Sequence, residues 1–342
     1  MELHEIVTVL AEISRPFADH RVNLFEIEPA SLDGSQLSLR GRVLDESNRL
    51  TLNSRLLARF PGLHVDTTAV EVARKTPPRL MSVATNLTSV HNGASFLAEQ
   101  ATQMLNGETV EVLWQEGNWG FVREMDGYLG WTYLPYLTET PAPAPEPSHL
   151  VVDPVVMLRD AAHAQAALVT RVLGGSGVCV SDRSGEWARI NLAGGKQGWL
   201  PVESLRELQE LPQGPDLRRS QMVKDAFRMT GVPYLWGGCS ANGIDCSGLA
   251  QLLHRWIGIR LPRDADMQYA AGQQVEPPFM PGDLLFFGDN GEQHRITHVT
   301  ISLGGWNIIH SSRRNNGVYT DDVQAVPGLR DSFLCAATYI RR

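Results

Sequence analysis

Cys246 has the most chemical potential of any residue in this sequence, and it stands in Gly243-Ile-Asp-Cys-Ser-Gly-Leu249. Beyond it Leu249, Leu252, Leu253, Trp256 and Ile257 recur at helical spacing until Gly258, so a buried helix opens at Cys246 with Asp245 as its cap. There the free backbone N–H groups and the positive end of the helix dipole favour a thiolate, and the same groups can stabilise an oxyanion. Taken alone, the cysteine is equally compatible with a small side chain packed behind a helix. Two histidines tip the balance. Ile296-Thr-His-Val-Thr-Ile-Ser-Leu-Gly304 alternates like a strand and holds His298, and Trp306-Asn-Ile-Ile-His-Ser-Ser312 holds His310. Adjacent strands that each offer an imidazole can supply a base beside a thiol and a polar group behind that base.

The remaining cysteines and histidines read as structural. His294 lies in the polar, turn-like Asn290–Arg295 stretch and His254 falls mid-helix. Cys239 is close to Cys246 in sequence, and two resting thiols are expected there. Four cysteines at irregular spacing form neither a disulfide framework nor paired CxxC zinc clusters, and a resting zinc would suppress the nucleophile. No metal and no cofactor is expected.

The elements around this constellation are marked by punctuation. Thr140-Pro-Ala-Pro-Ala-Pro-Glu-Pro-Ser148 reads as a semi-rigid linker, and Leu211-Pro-Gln-Gly-Pro215 as a weaker break. A repeat flanks the linker: Gly107, Gly117, Trp119, Gly127, Gly130 and Trp131 recur at the same offset as Gly175, Gly185, Trp187, Gly195, Gly198 and Trp199. Short alternating runs, glycine turns and a closing Gly-Trp predict two small barrels of five or six strands. The copies differ where Tyr128 aligns with Lys196 and Glu99 with Ala167. Residues 1–80 read as a small α+β unit: a helix, a strand at Leu37–Val43, helical spacing over Leu50–Phe60 and an extended stretch at Leu63–Val72. The expected division is 1–80, a first barrel at 81–139, a linker at 140–149, a second barrel at 150–210 and a catalytic domain at 215–342.

Composition bounds the partners. With a formal net charge of −8, the chain has no general attraction for nucleic acid or anionic lipid. No stretch approaches the ~20 apolar residues of a membrane span, and the acidic start has no signal-peptide core. The expectation is a cytoplasmic monomer acting on a small or medium-sized ligand, with no nucleic-acid or membrane partner.

The repeat signatures "GNWGFVREMDGYLGW" and "GEWARINLAGGKQGW" resemble bacterial SH3-like modules. The ordered motifs "DCSGL", "PRDADMQ", "PGDLLFF", "ITHVTISLG" and "IIHSS" resemble the NlpC/P60 family of cell-wall cysteine peptidases. The resemblance implies an α+β chain: a papain-like NlpC/P60 domain preceded by two SH3-like barrels and the small N-terminal unit. It implies Cys246 as nucleophile, His298 as general base and acid, His310 as the group orienting His298, and Tyr234 at the oxyanion site. The domain order is similar to that of γ-D-glutamyl-L-diamino acid endopeptidases, which recycle murein peptides and prefer a free L-Ala amine. On that resemblance Asp264, Glu99 and Tyr128 would receive the ammonium, and Asp245 and Ser247 would line the groove. The substrate implied is L-Ala-γ-D-Glu-diamino acid. An ordinary reading stands beside it, in which Asp264 caps the next helix and Glu99 is a solvated edge charge. Two other functions compete: an amidase or acyltransferase on the same scaffold, and a wall-binding protein whose peptidase domain is inert.

Overall fold

The computed structural model describes residues 2–140, 146–289 and 295–341. His294 and most of the Pro-Ala run therefore lie outside the described residues. Two compact units emerge, one of residues 1–80 with 110–131 and one of residues 81–109 with 132–342. The chain has a mixed α/β fold, with SH3-like β domains ahead of the catalytic domain.

In the first unit, helix α1 (Leu3–Ser14) turns Ile6, Val9, Leu10 and Ile13 inward, the i, i+3, i+4, i+7 stripe of an amphipathic helix. Strands Phe25–Asp33 and Gln36–Val43 form an antiparallel hairpin. Helix α2 (Glu46–Arg59) then crosses over so that His64–Val72 pairs in parallel with the hairpin's second strand. The sequence signals located the helices, the strand at 37–43 and the extended stretch at 63–72, but they missed Phe25–Asp33, and this strand order has no short-range signature. Arg74 donates to Asp45 Oδ1 at 3.0 Å and Glu111 Oε2 at 2.9 Å, and Arg42 stacks 4.1 Å over Trp114. These contacts explain why 110–131 clusters with the N-terminal residues.

The repeat is visible in the register. Leu87 pairs with Leu105 in the first copy and Val155 with Leu173 in the second, with matching bulges after Val90 and Leu158. Gly107, Gly117 and Gly127 have positive φ (84°, 57° and 97°), as do Gly175, Gly185 and Gly195 (95°, 56° and 84°), so the turns were legible from glycine spacing. The second copy has seven strands rather than five or six. In sheet order they are Leu168–Leu173, Val155–Arg159, Gln197–Pro201, Trp187–Asn191, Gly177–Ser184, His149–Val151 and Leu205–Glu207. Two of them are only three residues long, too short to alternate visibly in sequence.

The catalytic domain packs helices α3 (Pro215–Ala226), α4 (Cys246–Trp256) and α5 (Ala265–Ala271) with a six-stranded antiparallel sheet. Its sheet order is Gln273–Gln274, Phe333–Thr338, Leu284–Asp289, Arg295–Gly304, Asn307–Ser312 and Gly317–Asp322. Leu249, Leu252, Leu253 and Trp256 of α4 join Phe286, Val299, Ile301 and Ile309 of the sheet in one buried core. At about 1.5–3 kcal/mol per buried large aliphatic side chain, this face fixes α4 firmly against the strands.

Candidate active site

Asp245 begins the site. It caps α4, its Oδ1 accepting from Gly248 N at 2.7 Å, and its Oδ2 accepts from Gly237 N at 2.9 Å. A Cβ at Gly248 would lie 2.2 Å from Gly238 O, so only glycine lets the Tyr234–Ser240 loop close on the first helical turn. Arg263, 2% exposed, completes the cap: Nη2 reaches Asp245 Oδ2 at 2.7 Å, Nη1 reaches Ser247 Oγ at 2.8 Å, and Nε reaches Thr102 Oγ1 at 2.8 Å. Burial alone would lower the Arg263 pKa; the Asp245 carboxylate outweighs it and holds the guanidinium well above its ordinary value. The Asp245 and Ser247 side chains thus face inward with their bonding capacity engaged. Through these bonds both side chains also brace the helical turn that carries Cys246.

Cys246 follows in the first turn. Backbone N–H groups of Val299 and Ser247 point at its sulfur, but burial and then the Asp245 charge push the thiol up to about 12. His298 stands next to Val299, at a bulge where Phe287 pairs with His298 and Gly288 with Ile296; bulges commonly re-aim a side chain beside a site. Burial, followed by His310, lowers His298 to about 3. Both side chains are half-buried, so groove water moderates these shifts, and their directions favour an uncharged thiol–imidazole pair at rest. Here burial opposes the thiolate preference expected from the helix terminus.

His298 Nε2 lies 2.8 Å from His310 Nδ1, and His310 Nε2 lies 3.0 Å from Asp321 Oδ2. The carboxylate accepts, so His310 Nε2 carries the proton and its Nδ1 accepts from His298 Nε2–H. That assignment leaves Nδ1 of His298 as the basic nitrogen. Burial pushes His310 down, opposed in part by Asp321. Asp321 was not anticipated; only the pairing of His310 with Tyr319, two residues before it, brings that carboxylate to the histidine.

The other anticipated residues are distributed unevenly. Tyr234 lies within electrostatic reach of Cys246, and burial raises its pKa against an opposing contact from Arg313, leaving a neutral hydroxyl donor. Asp264 holds the N-cap position of α5 but accepts no capping bond through its side chain. Glu99 is exposed, next to Gln100, whose Nε2 donates to Trp236 O at 2.9 Å. Tyr128 is buried in the first unit and is not among the residues the second unit gathers; its assignment rests on the resemblance alone. His254 is buried and bonds Ala250 O at 2.8 Å, as a structural histidine should, and Cys239 is a free thiol bonded to Gln103 O.

Known proteins place this geometry in context. Residues 231–333 match the NlpC/P60 family, and residues 90–132 match the bacterial dipeptidyl-peptidase Sh3 domain. A γ-D-glutamyl-L-lysine dipeptidyl-peptidase of Bacillus cereus is 27% identical over 256 residues, covering 70% of this chain and 75% of that protein. A protein of the same name from Bacillus subtilis is 29% identical over 233 residues, covering 64% and 74%. A crystal structure of an NlpC/P60 family protein from Bacillus cereus covers 77% of this chain and 100% of its own, with a TM-score of 0.68 at 21% identity, and so shares the fold. Among the described residues no helix is long and apolar enough to cross a membrane. The chain therefore carries an NlpC/P60 peptidase domain over residues 231–333, preceded by an SH3 domain of the bacterial dipeptidyl-peptidase type at 90–132.

Proposed function

We propose that the chain hydrolyses the γ-D-glutamyl–diamino acid bond of murein-derived peptides that carry a free N-terminal L-Ala. The observation that carries this reading is the His298–His310–Asp321 relay, at 2.8 and 3.0 Å, on the strands that meet Cys246. Two relatives named for γ-D-glutamyl-L-lysine cleavage support the bond chosen. His298 Nδ1 takes the Cys246 proton as sulfur attacks the γ-carbonyl carbon. The oxyanion is met by the Cys246 N–H and the neutral Tyr234 hydroxyl. Protonated His298 then gives its proton to the departing amine, leaving a thioester. Water, deprotonated by the same imidazole, attacks the thioester and regenerates the thiol. Asp264, beside Arg263, and the exposed Glu99 carboxylate meet the L-Ala ammonium. No step calls for a cofactor.

Mass spectrometry of products from L-Ala-γ-D-Glu-meso-diaminopimelate and its N-acetyl form tests the reading. Release of L-Ala-D-Glu from the free amine alone, lost in Cys246→Ala, is the expected result. Cleavage of both peptides removes the amine role of Asp264 and Glu99. Cleavage of neither by reduced, folded protein moves the assignment to amidase or acyltransferase chemistry.

A further inference from the structure

The turn after the His310 strand carries two adjacent arginines that the mechanism does not use. Arg313 and Arg314 are both exposed, and neither has a carboxylate within ion-pair distance among the described residues. In a chain with a net charge of −8, two uncompensated cations beside the active site are unexpected.

The turn is held in place. Asn315 N donates to Ser312 Oγ at 3.2 Å, and Asn315 Nδ2 donates to Asp321 Oδ2 at 3.3 Å, the oxygen that also receives His310. Asn316 adopts the left-handed φ of 50°, which asparagine tolerates better than most residues. The rim is thus tied to the relay itself. The Arg313 guanidinium lies 5.5 Å from the Tyr234 ring centroid and 5.4 Å from that of Trp236. One guanidinium N–H bonds the Tyr234 hydroxyl, and resting on two aromatic faces fixes the plane while leaving the other N–H groups for a planar, two-oxygen acceptor. Tyr234 is within reach of the Cys246 charge, and the Arg314 charge is felt at His310. The two cations therefore lie within electrostatic reach of Tyr234 and His310, and Trp236 beside Arg313 is half-exposed.

We propose that Arg313, supported by Arg314, is a substrate-carboxylate site on the groove rim that determines which γ-glutamyl peptides are turned over. The proposal rests on the peptide substrate proposed above. That substrate offers three carboxylates: the α-carboxylate of D-Glu, the α-carboxylate of the diamino acid, and the second carboxylate of diaminopimelate. A lysine side chain would bring an ammonium to the same rim and be repelled.

The test measures kcat/KM for four peptides on wild type, Arg313→Ala, Arg313→Lys and Arg314→Ala. The parent is L-Ala-γ-D-Glu-meso-diaminopimelate. The others replace D-Glu by D-isoglutamine, diaminopimelate by lysine, or the diamino acid's α-carboxylate by its amide. A charge-assisted contact of this kind corresponds to roughly a 10- to 100-fold change. The expected result is a loss of that size for one modified peptide on wild type. Arg313→Ala should shrink the difference and Arg313→Lys should restore part of it. The peptide affected identifies the carboxylate. Equal turnover of all four by wild type, or an equal fall across all four in the variants, overturns the proposal and leaves the peptidase reading intact. Cleavage of none by folded, reduced wild type overturns the substrate reading and the proposal with it.

Discussion

The two SH3-like copies share one strand register, yet they meet the catalytic domain through different chemistry. The second copy presents bare backbone. A Cβ on Gly174 would lie 2.6 Å from Trp256 Cζ2, besides 2.6 Å from Asp153 O of its own copy, and one on Gly175 would lie 2.6 Å from Leu252 Cδ1. Arg206 adds bonds to the buried Asp225, at 2.9 and 3.0 Å, and to Trp256 O. The contacts to Leu252 and Trp256 grip the C-terminal half of α4, away from Cys246, and the Asp225 bonds tie the same copy to α3. The first copy sends polar side chains to the other end. Gln103 Oε1 accepts from Cys239 N at 3.2 Å, Thr102 receives Arg263, and Gln100 bonds Trp236. In the second copy the aligned positions are Leu168, Thr170 and Arg171, of which Thr170 bonds Asn86 in the first copy. One barrel anchors helix α4 and the other reaches its cap. Neither is a tethered spacer within this unit.

The contrast can be broken at several points. Arg263→Leu should have the largest effect, because it strands the Asp245 carboxylate in a buried site; a loss of about 3–5 kcal/mol is expected in urea unfolding. A loss below about 1 kcal/mol would mean that Thr102 and the cap are not energetically joined. Acidification comes next. Burial holds His254 of α4 near pKa 4 against an ordinary value of 6.5, so its neutral form belongs to the folded state. The sign follows directly: the unfolded chain binds this proton first, so stability is full above pH 6.5 and falls as pH drops toward 4. The slope is about 1.4 kcal/mol per pH unit from this residue. His254→Gln should flatten the profile measured by denaturant melts, and an unchanged slope would place the acid sensitivity elsewhere.

Gly174→Ala separates anchoring from site assembly. Overpacking against Trp256 and a backbone carbonyl should cost about 1–3 kcal/mol. Turnover per titrated active site should stay near wild type, because the distortion falls at the far end of α4. A comparable drop in per-site kcat/KM would erase the distinction between the copies. The smallest effect is expected for Glu108→Ala, which removes the half-exposed pair with Arg255; at most about 1 kcal/mol should be lost.

The parts of this molecule that could be read in sequence are those with short-range signatures. Cys246, His298 and His310 stand in compact motifs on elements whose periodicity is plain, and the barrel turns follow from glycine spacing. Arg263 was visible only as the neighbour of Asp264, because its partner Thr102 is 161 positions away and belongs to another domain. Asp321 had no local signal, since it reaches His310 only after two strands pair. Asp245 and Ser247 could be read only as the residues that flank Cys246. Their inward commitment emerges only once an arginine is packed beneath them. Helical and strand periodicity report burial, whereas buried polar networks depend on contacts between distant segments.

The upward push that burial exerts on the Cys246 thiol bears on how this protein ages. Peroxide and the common electrophiles of metabolism attack thiolates far faster than thiols. A thiol whose pKa burial raises is shielded from that wear in proportion to the shift, at some loss of intrinsic speed. Inhibitors that rely on indiscriminate alkylation should therefore work slowly here, and those that carry an acyl group into the groove should outpace them.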